Sequence, residues 1–184
     1  MRVRKYILIS AFIIIFGLFS IFLFINIMVN KNIDNNLEVI SIFNNLFPME
    51  NKIESLEFNS NLTNLEIDGK DYVGIINIYD NKLVLPVLDK CSNKFINIES
   101  ACRYTNDGLV ILGTNLNDSF SSYKLYDEGD HIIFTNMLGQ TYEYKIDEIK
   151  RVNKINNISF DGDLVIIVKD YYNMEYILFI SNFY

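Results

Sequence analysis

The chain has 184 residues, half of them hydrophobic, and a formal net charge of −7. The charge is unevenly spread: residues 1–31 carry only basic ionised side chains, whereas residues 32–184 carry 23 acidic and 12 basic ones, a net of −11. So acidic a segment repels phosphates and anionic lipid, which argues against nucleic acid as a ligand, and about 150 residues suffice for one domain with its own core, not for two.

Residues 1–5 form a basic segment containing Arg2, Arg4 and Lys5. Residues 6–29 are apolar, interrupted only by Ser10, Ser20 and Asn26 as polar side chains besides Tyr6. As a helix this run would be about 36 Å long, enough to cross a hydrocarbon core of about 30 Å. A cleaved secretory signal has a shorter apolar core and a small-x-small cleavage site, so the run is read as an uncleaved transmembrane signal anchor. Basic residues stay on the cytoplasmic side, which places the N-terminus inside and the rest of the chain outside a cell membrane.

Residues 30–64 read as a helical stalk and linker. Ile33, Leu37, Ile40, Phe43 and Phe47 recur at helical spacing up to Pro48, and a polar stretch follows. From Leu65 the pattern becomes β, and residues 65–184 read as one β domain. Tyr72–Ile78 and Lys82–Leu88 form a strand pair about a turn at 79–81, with Pro86 weakening the second strand. Further strands are expected at Gly108–Gly113, Asp130–Asn136 and Gln140–Ile149, the last alternating with Tyr142, Tyr144 and Ile146 on one face. One helical turn is expected within 118–126. Leu164–Val168 and Tyr176–Ile180 form the closing pair. Many short strands without long βαβ crossovers indicate an all-β barrel or sandwich.

Cys91 and Cys102 are the two cysteines. They suit either a disulfide closing a loop of about a dozen residues or two buried free thiols. No Cys-x-x-Cys occurs and His131 is the single histidine, so neither a metal nor a cofactor is implied.

Several stretches together resemble the sortases, the cysteine transpeptidases that attach proteins to bacterial cell walls. Leu109-Val-Ile-Leu-Gly-Thr-Asn115 is similar to the family's apolar strand ending in Gly-His-Asn, and Leu164-Val-Ile-Ile-Val-Lys169 to the strand ending in Thr-Leu-x-Thr-Cys. Cys102-Arg-Tyr104, Phe120 and the run Leu125–Asn136, with Glu128-Gly-Asp130 and Phe134-Thr135, also match in order and spacing. The resemblance covers roughly 110 residues and implies a sortase-like β-barrel with short helices.

The same resemblance places Thr114 at the catalytic histidine, Lys169 at the nucleophilic cysteine and Tyr176 at the arginine. Sortase chemistry needs a thiolate to attack a carbonyl, a histidine to protonate the leaving amine and an arginine to hold the substrate or stabilise the oxyanion. Thr114, Lys169 and Tyr176 supply none of these roles, so no catalytic residue is assigned and the three are read as vestigial groove positions. His131 reads as a surface-facing strand residue, and Lys169 with Asp170 as a local ion pair. The segment Arg151–Gly162 takes the place of the family's recognition loop in shortened form.

The expected function is therefore that of a membrane-anchored, catalytically inactive sortase-like protein that binds or scaffolds a cell-surface protein or a sorting-signal peptide. Two alternatives stay open at this point: an active transpeptidase using Cys91 or Cys102 in a rearranged site, and an unrelated anchored β interaction or sensor domain.

Overall fold

The computed structural model describes residues 2–46, 62–78, 83–91, 101–105, 108–115, 120–155 and 160–184. The turn expected at 79–81, most of the linker expected at 51–64 and part of the segment 151–162 lie outside these residues.

One helix, α1, runs unbroken from Arg2 to Leu46. The apolar stretch Ser10–Ile27 is long and apolar enough to cross a membrane and none of it is buried. Its polar interruptions do not interrupt the helix, because Ser20 Oγ and Asn26 Nδ2 each donate to the carbonyl four residues earlier, on Phe16 and Phe22, at 2.9 Å. A polar group satisfied within its own helix makes less demand on an apolar surrounding. The helix then continues through the stalk segment in which Ile33, Leu37, Ile40 and Phe43 recur at helical spacing. The buried face there is Val39 and Phe43, with Ile40 and Ile42 at its margin, whereas Leu37 is exposed. The i, i+4 pair of buried residues sets the docking face.

Nine strands follow among the described residues: β1 (Leu65–Ile67), β2 (Lys70–Ile78), β3 (Leu83–Leu88), β4 (Ala101–Thr105), β5 (Leu109–Thr114), β6 (His131–Asn136), β7 (Thr141–Val152), β8 (Leu164–Asp170) and β9 (Glu175–Phe183). A 3-10 turn, Tyr123–Leu125, falls within the segment where a helical turn is expected. Among the described residues, the order β2-β3-β4-β5-β8-β9-β7-β6 closes on itself where Gly74–Ile78 pairs with Ile132–Asn136, giving an eight-stranded barrel, and β1 extends the edge of β2. Closure removes the open edges that a sheet of this length would otherwise present.

Two seams are parallel, β3 with β4 and β5 with β8. Between β5 and β8 the chain forms the β6–β7 hairpin, which explains how parallel pairing arises without a βαβ pattern in the sequence.

Alternation along the strands separates two apolar clusters. Ile76, Ile78, Leu85, Leu109, Ile111, Phe134, Tyr142, Tyr144, Ile146, Ile166, Val168 and Phe179 fill the interior. Ile75, Val110, Leu112, Val165, Ile167, Leu178 and Ile180 lie on the outside, in the same cluster as Val39 and Phe43 of α1. A register shift between Tyr72 and Gly74 resets the alternation in β2, so Val73 and Ile76 both belong to the interior. β5 and β8 are thus buried on both faces, which is why they read as continuous apolar runs. Gly113 completes the interior of β5: a Cβ there would overlap the ring of Phe120, so only glycine lets that ring lie against the strand.

Candidate functional site

The parallel register of β5 and β8 sets Thr114 opposite Lys169, and the antiparallel register of β8 and β9 sets Lys169 opposite Tyr176. Directly paired residues point to the same face of a sheet. The three positions singled out in the sequence therefore stand side by side across three strands, spanning about 10 Å at the usual strand spacing. Thr114 is buried, and Lys169 and Tyr176 are half-buried. Tyr176 borders the outer apolar cluster together with Val152, its partner on β7, and with Ile155 and Phe160 from the segment between β7 and β8. The Lys169 ammonium lies 4.2 Å from the centroid of the Tyr171 ring, in cation–π range.

Successive strand residues alternate in face, and this corrects the ion pair expected between Lys169 and Asp170. Val168 belongs to the interior cluster and Asp170 follows it by two, so Asp170 turns inward while Lys169 turns outward. Asp170 is fully buried. It accepts hydrogen bonds from the Tyr123 hydroxyl at 2.6 Å, the Asn173 side-chain amide at 2.7 Å, the Tyr172 backbone amide at 2.8 Å, and the Asn115 side chain. Asn115 in turn accepts from the Tyr171 amide at 3.1 Å, and its own amide donates to the Lys169 carbonyl at 3.2 Å. Burial alone would raise the carboxyl, but the donors from Tyr123, Tyr172 and Asn173 outweigh it and bring Asp170 down to about 2. Burial and the neighbouring carboxylate push the Tyr123 hydroxyl up to about 12. Asp170 is thus a fixed anion that ties the ends of β5 and β8 to the β8–β9 turn directly behind the row.

The remaining reactive side chains lie elsewhere. His131 opens β6, with Nδ1 3.0 Å from Glu143 and its ring against Tyr184 at 4.6 Å between centroids. Tyr184 follows the C-terminal end of β9 and Tyr176 lies near its start, a separation of about 25 Å along extended chain. His131 therefore cannot serve the row. Cys91 and Cys102 are bonded to each other, with Cα atoms 5.1 Å apart. That decides between the bridge and the two free thiols, and it leaves no thiol for a rearranged cysteine site, since the chain has two cysteines in all.

The barrel can be placed among solved structures. It matches sortase A from Corynebacterium diphtheriae with a TM-score of 0.52 and 19% identity over 62% of this chain and 61% of that one. It also matches sortase C1 from Streptococcus agalactiae, with a TM-score of 0.52 and 21% identity over 63% and 68% of the two chains. A Clostridium perfringens sortase D5 transpeptidase gives 0.53 and 15% identity over 67% and 82%. This is the sortase fold. No family model matches the sequence, and no curated protein matches it either. The likeness is thus one of backbone architecture, and the matched region spans about three fifths of the Corynebacterium sortase.

On this sortase-like barrel, the row presents the half-buried ammonium of Lys169 and phenol of Tyr176 on one outer face, with Thr114 buried beside them. Such a set can donate hydrogen bonds and attract a carboxylate. Attack on an amide would require a neighbouring base to take the lysine proton, and the nearest carboxylate along the chain, Asp170, faces the other way. The sequence reading did not recognise the Asp170 network. Its signal was present: Leu164, Ile166, Val168 and Asp170 share one parity on an apolar strand, which marks Asp170 as inward.

Proposed function

We propose that the protein is a membrane-anchored, extracytoplasmic sortase-like pseudoenzyme that binds a cell-surface partner without transferring it. The reading rests on one observation above others: Thr114, Lys169 and Tyr176 align on adjacent strands in a braced frame, and none of them can perform the thiol chemistry. The basic N-terminus and apolar α1 support anchoring with the barrel outside. Thr114, Lys169 and Tyr176 are the vestigial groove positions, and Lys169 holds an acidic or carbonyl group of an extended sorting-signal peptide or a surface protein.

The test uses the full chain in detergent micelles and a fluorescently labelled sorting-signal peptide, followed by anisotropy. Saturable binding that weakens about tenfold in Lys169→Ala, the scale of a lost charge-assisted hydrogen bond, supports the proposal. Absence of binding, or binding indifferent to Lys169, Thr114 and Tyr176 substitutions, contradicts it.

A further inference from the structure

β8 passes to β9 through the turn 171–174, closed by the pairing of Asp170 with Glu175. Asp170 accepts from the Tyr172 amide at 2.8 Å and the Asn173 amide at 3.3 Å, the local bonding by which an aspartate shapes a turn. Met174 ends the turn in the left-handed region, with φ 56°.

Tyr171, the first residue of the turn, follows Lys169 by two and continues the alternation of β8, so the two share the outer face. Its amide donates to Asn115 Oδ1 at 3.1 Å, and the Asn115 side-chain amide donates to Asp170. The backbone of Tyr171 is thus pinned from the inner side. Its half-buried ring lies against the Lys169 ammonium, 4.2 Å from nitrogen to centroid. A ring face on one side of an ammonium leaves its remaining N–H donors directed away from the ring. Tyr176 stands opposite Lys169 on β9, about 5 Å away at the usual strand spacing, and carries a hydroxyl donor. The carboxylates adjacent in the chain are committed elsewhere, Asp170 to its inner donors and Glu175 to Arg151 at 3.3 Å.

We propose that Tyr171 is a fourth member of the row, aiming the Lys169 ammonium at a carboxylate of the bound partner, and that Asn115, braced by Asp170, is the residue that positions Tyr171. This rests on the reading that the row binds a partner, and it narrows the ligand to an acidic peptide. A lysine on a flexible four-carbon stem gives up rotamer freedom when it binds. One already seated on a ring has given it up beforehand. A carboxylate is favoured over a carbonyl because hydrogen bonds between ionised partners are the stronger ones, and its two oxygens can be met by Lys169 and Tyr176 together. The Asp170 network then serves recognition as well as stability, since it sets the turn from which Tyr171 projects.

The experiment uses the full chain in detergent micelles and two labelled sorting-signal peptides, alike except that one carries a glutamate where the other carries a glutamine. The wild type should bind the glutamate peptide about tenfold more tightly. Tyr171→Leu should cut that preference to about twofold, whereas Tyr171→Phe, which keeps the ring face, should restore it. With no peptide present, the Cε proton signals of Lys169 in NMR, assigned by their loss in Lys169→Arg, should lie upfield through the ring current of Tyr171. They should move downfield in Tyr171→Leu and in Asn115→Ala, and stay upfield in Tyr171→Phe. If Asn115→Ala does not fold, the two Tyr171 variants decide alone. If neither peptide binds, the binding reading falls and this proposal with it. Saturable binding without preference for the glutamate peptide, a preference untouched by Tyr171→Leu, or Lys169 signals unmoved by it would overturn this proposal alone.

Discussion

The Tyr123 hydroxyl donates to Asp170 at 2.6 Å, joining the 3-10 turn after β5 to the inward end of β8. Because Asp170 is fully buried, each donor it loses leaves part of an anion uncompensated. Tyr123→Phe removes one donor and should destabilise the domain by about 2 kcal/mol in chemical denaturation.

The same carboxylate predicts how stability responds to acid. Its folded value of about 2 lies below the ordinary 3.8, so the fold prefers the ionised form. The resulting contribution, about 2 kcal/mol, is fully present above pH 3.8 and is lost as the pH falls towards 2. Denaturation midpoints measured across that window should fall with pH in the wild type, and Asp170→Asn should remove this part of the fall.

Gly113 and Phe120 occupy the space of one side chain and no more. Gly113→Ala forces the ring of Phe120 off the strand and should cost about 2–3 kcal/mol, in the range of an overpacked core. In Phe120→Leu the ring is gone and the alanine should cost less, so a double-mutant cycle between the two positions should show coupling above about 1 kcal/mol.

Arg103 and Asp89 form a largely buried pair at 3.7 Å. Removing Arg103 leaves the largely buried carboxylate facing the exposed Lys90 ammonium at 3.9 Å, so Arg103→Leu should lower stability by about 2 kcal/mol, and adding Asp89→Leu should recover part of it. Thermal or urea unfolding of the three variants measures both effects.

How far the sequence disclosed this arrangement differs element by element. β7 was legible because Tyr142, Tyr144 and Ile146 alternate with polar residues, and they do fill the interior. β5 and β8 were legible as strands from their apolar runs. Burial on both faces hid the direction of each side chain, so Lys169 and Asp170 were read as partners although they point to opposite sides of the strand. β4 escaped recognition as a strand because Ala-Cys-Arg-Tyr-Thr is short and without a period. The parallel pairing of β5 and β8 could not be read from any local pattern, since it follows from closure of the whole barrel, and pairing of the two cysteines depends on a distance that only the closed barrel fixes. Thr114, Lys169 and Tyr176 were found by resemblance alone. Their residue types carry no motif, and it is strand register that brings them together.

Whether the sortase-like barrel binds or transfers is tested most directly by intact-mass spectrometry of the full chain in detergent, incubated with a sorting-signal peptide and an amine acceptor. Unmodified protein and uncleaved peptide, under conditions where the peptide binds reversibly, are the predicted result. A covalent peptide adduct on the protein, or a cleaved peptide joined to the amine, would contradict the account.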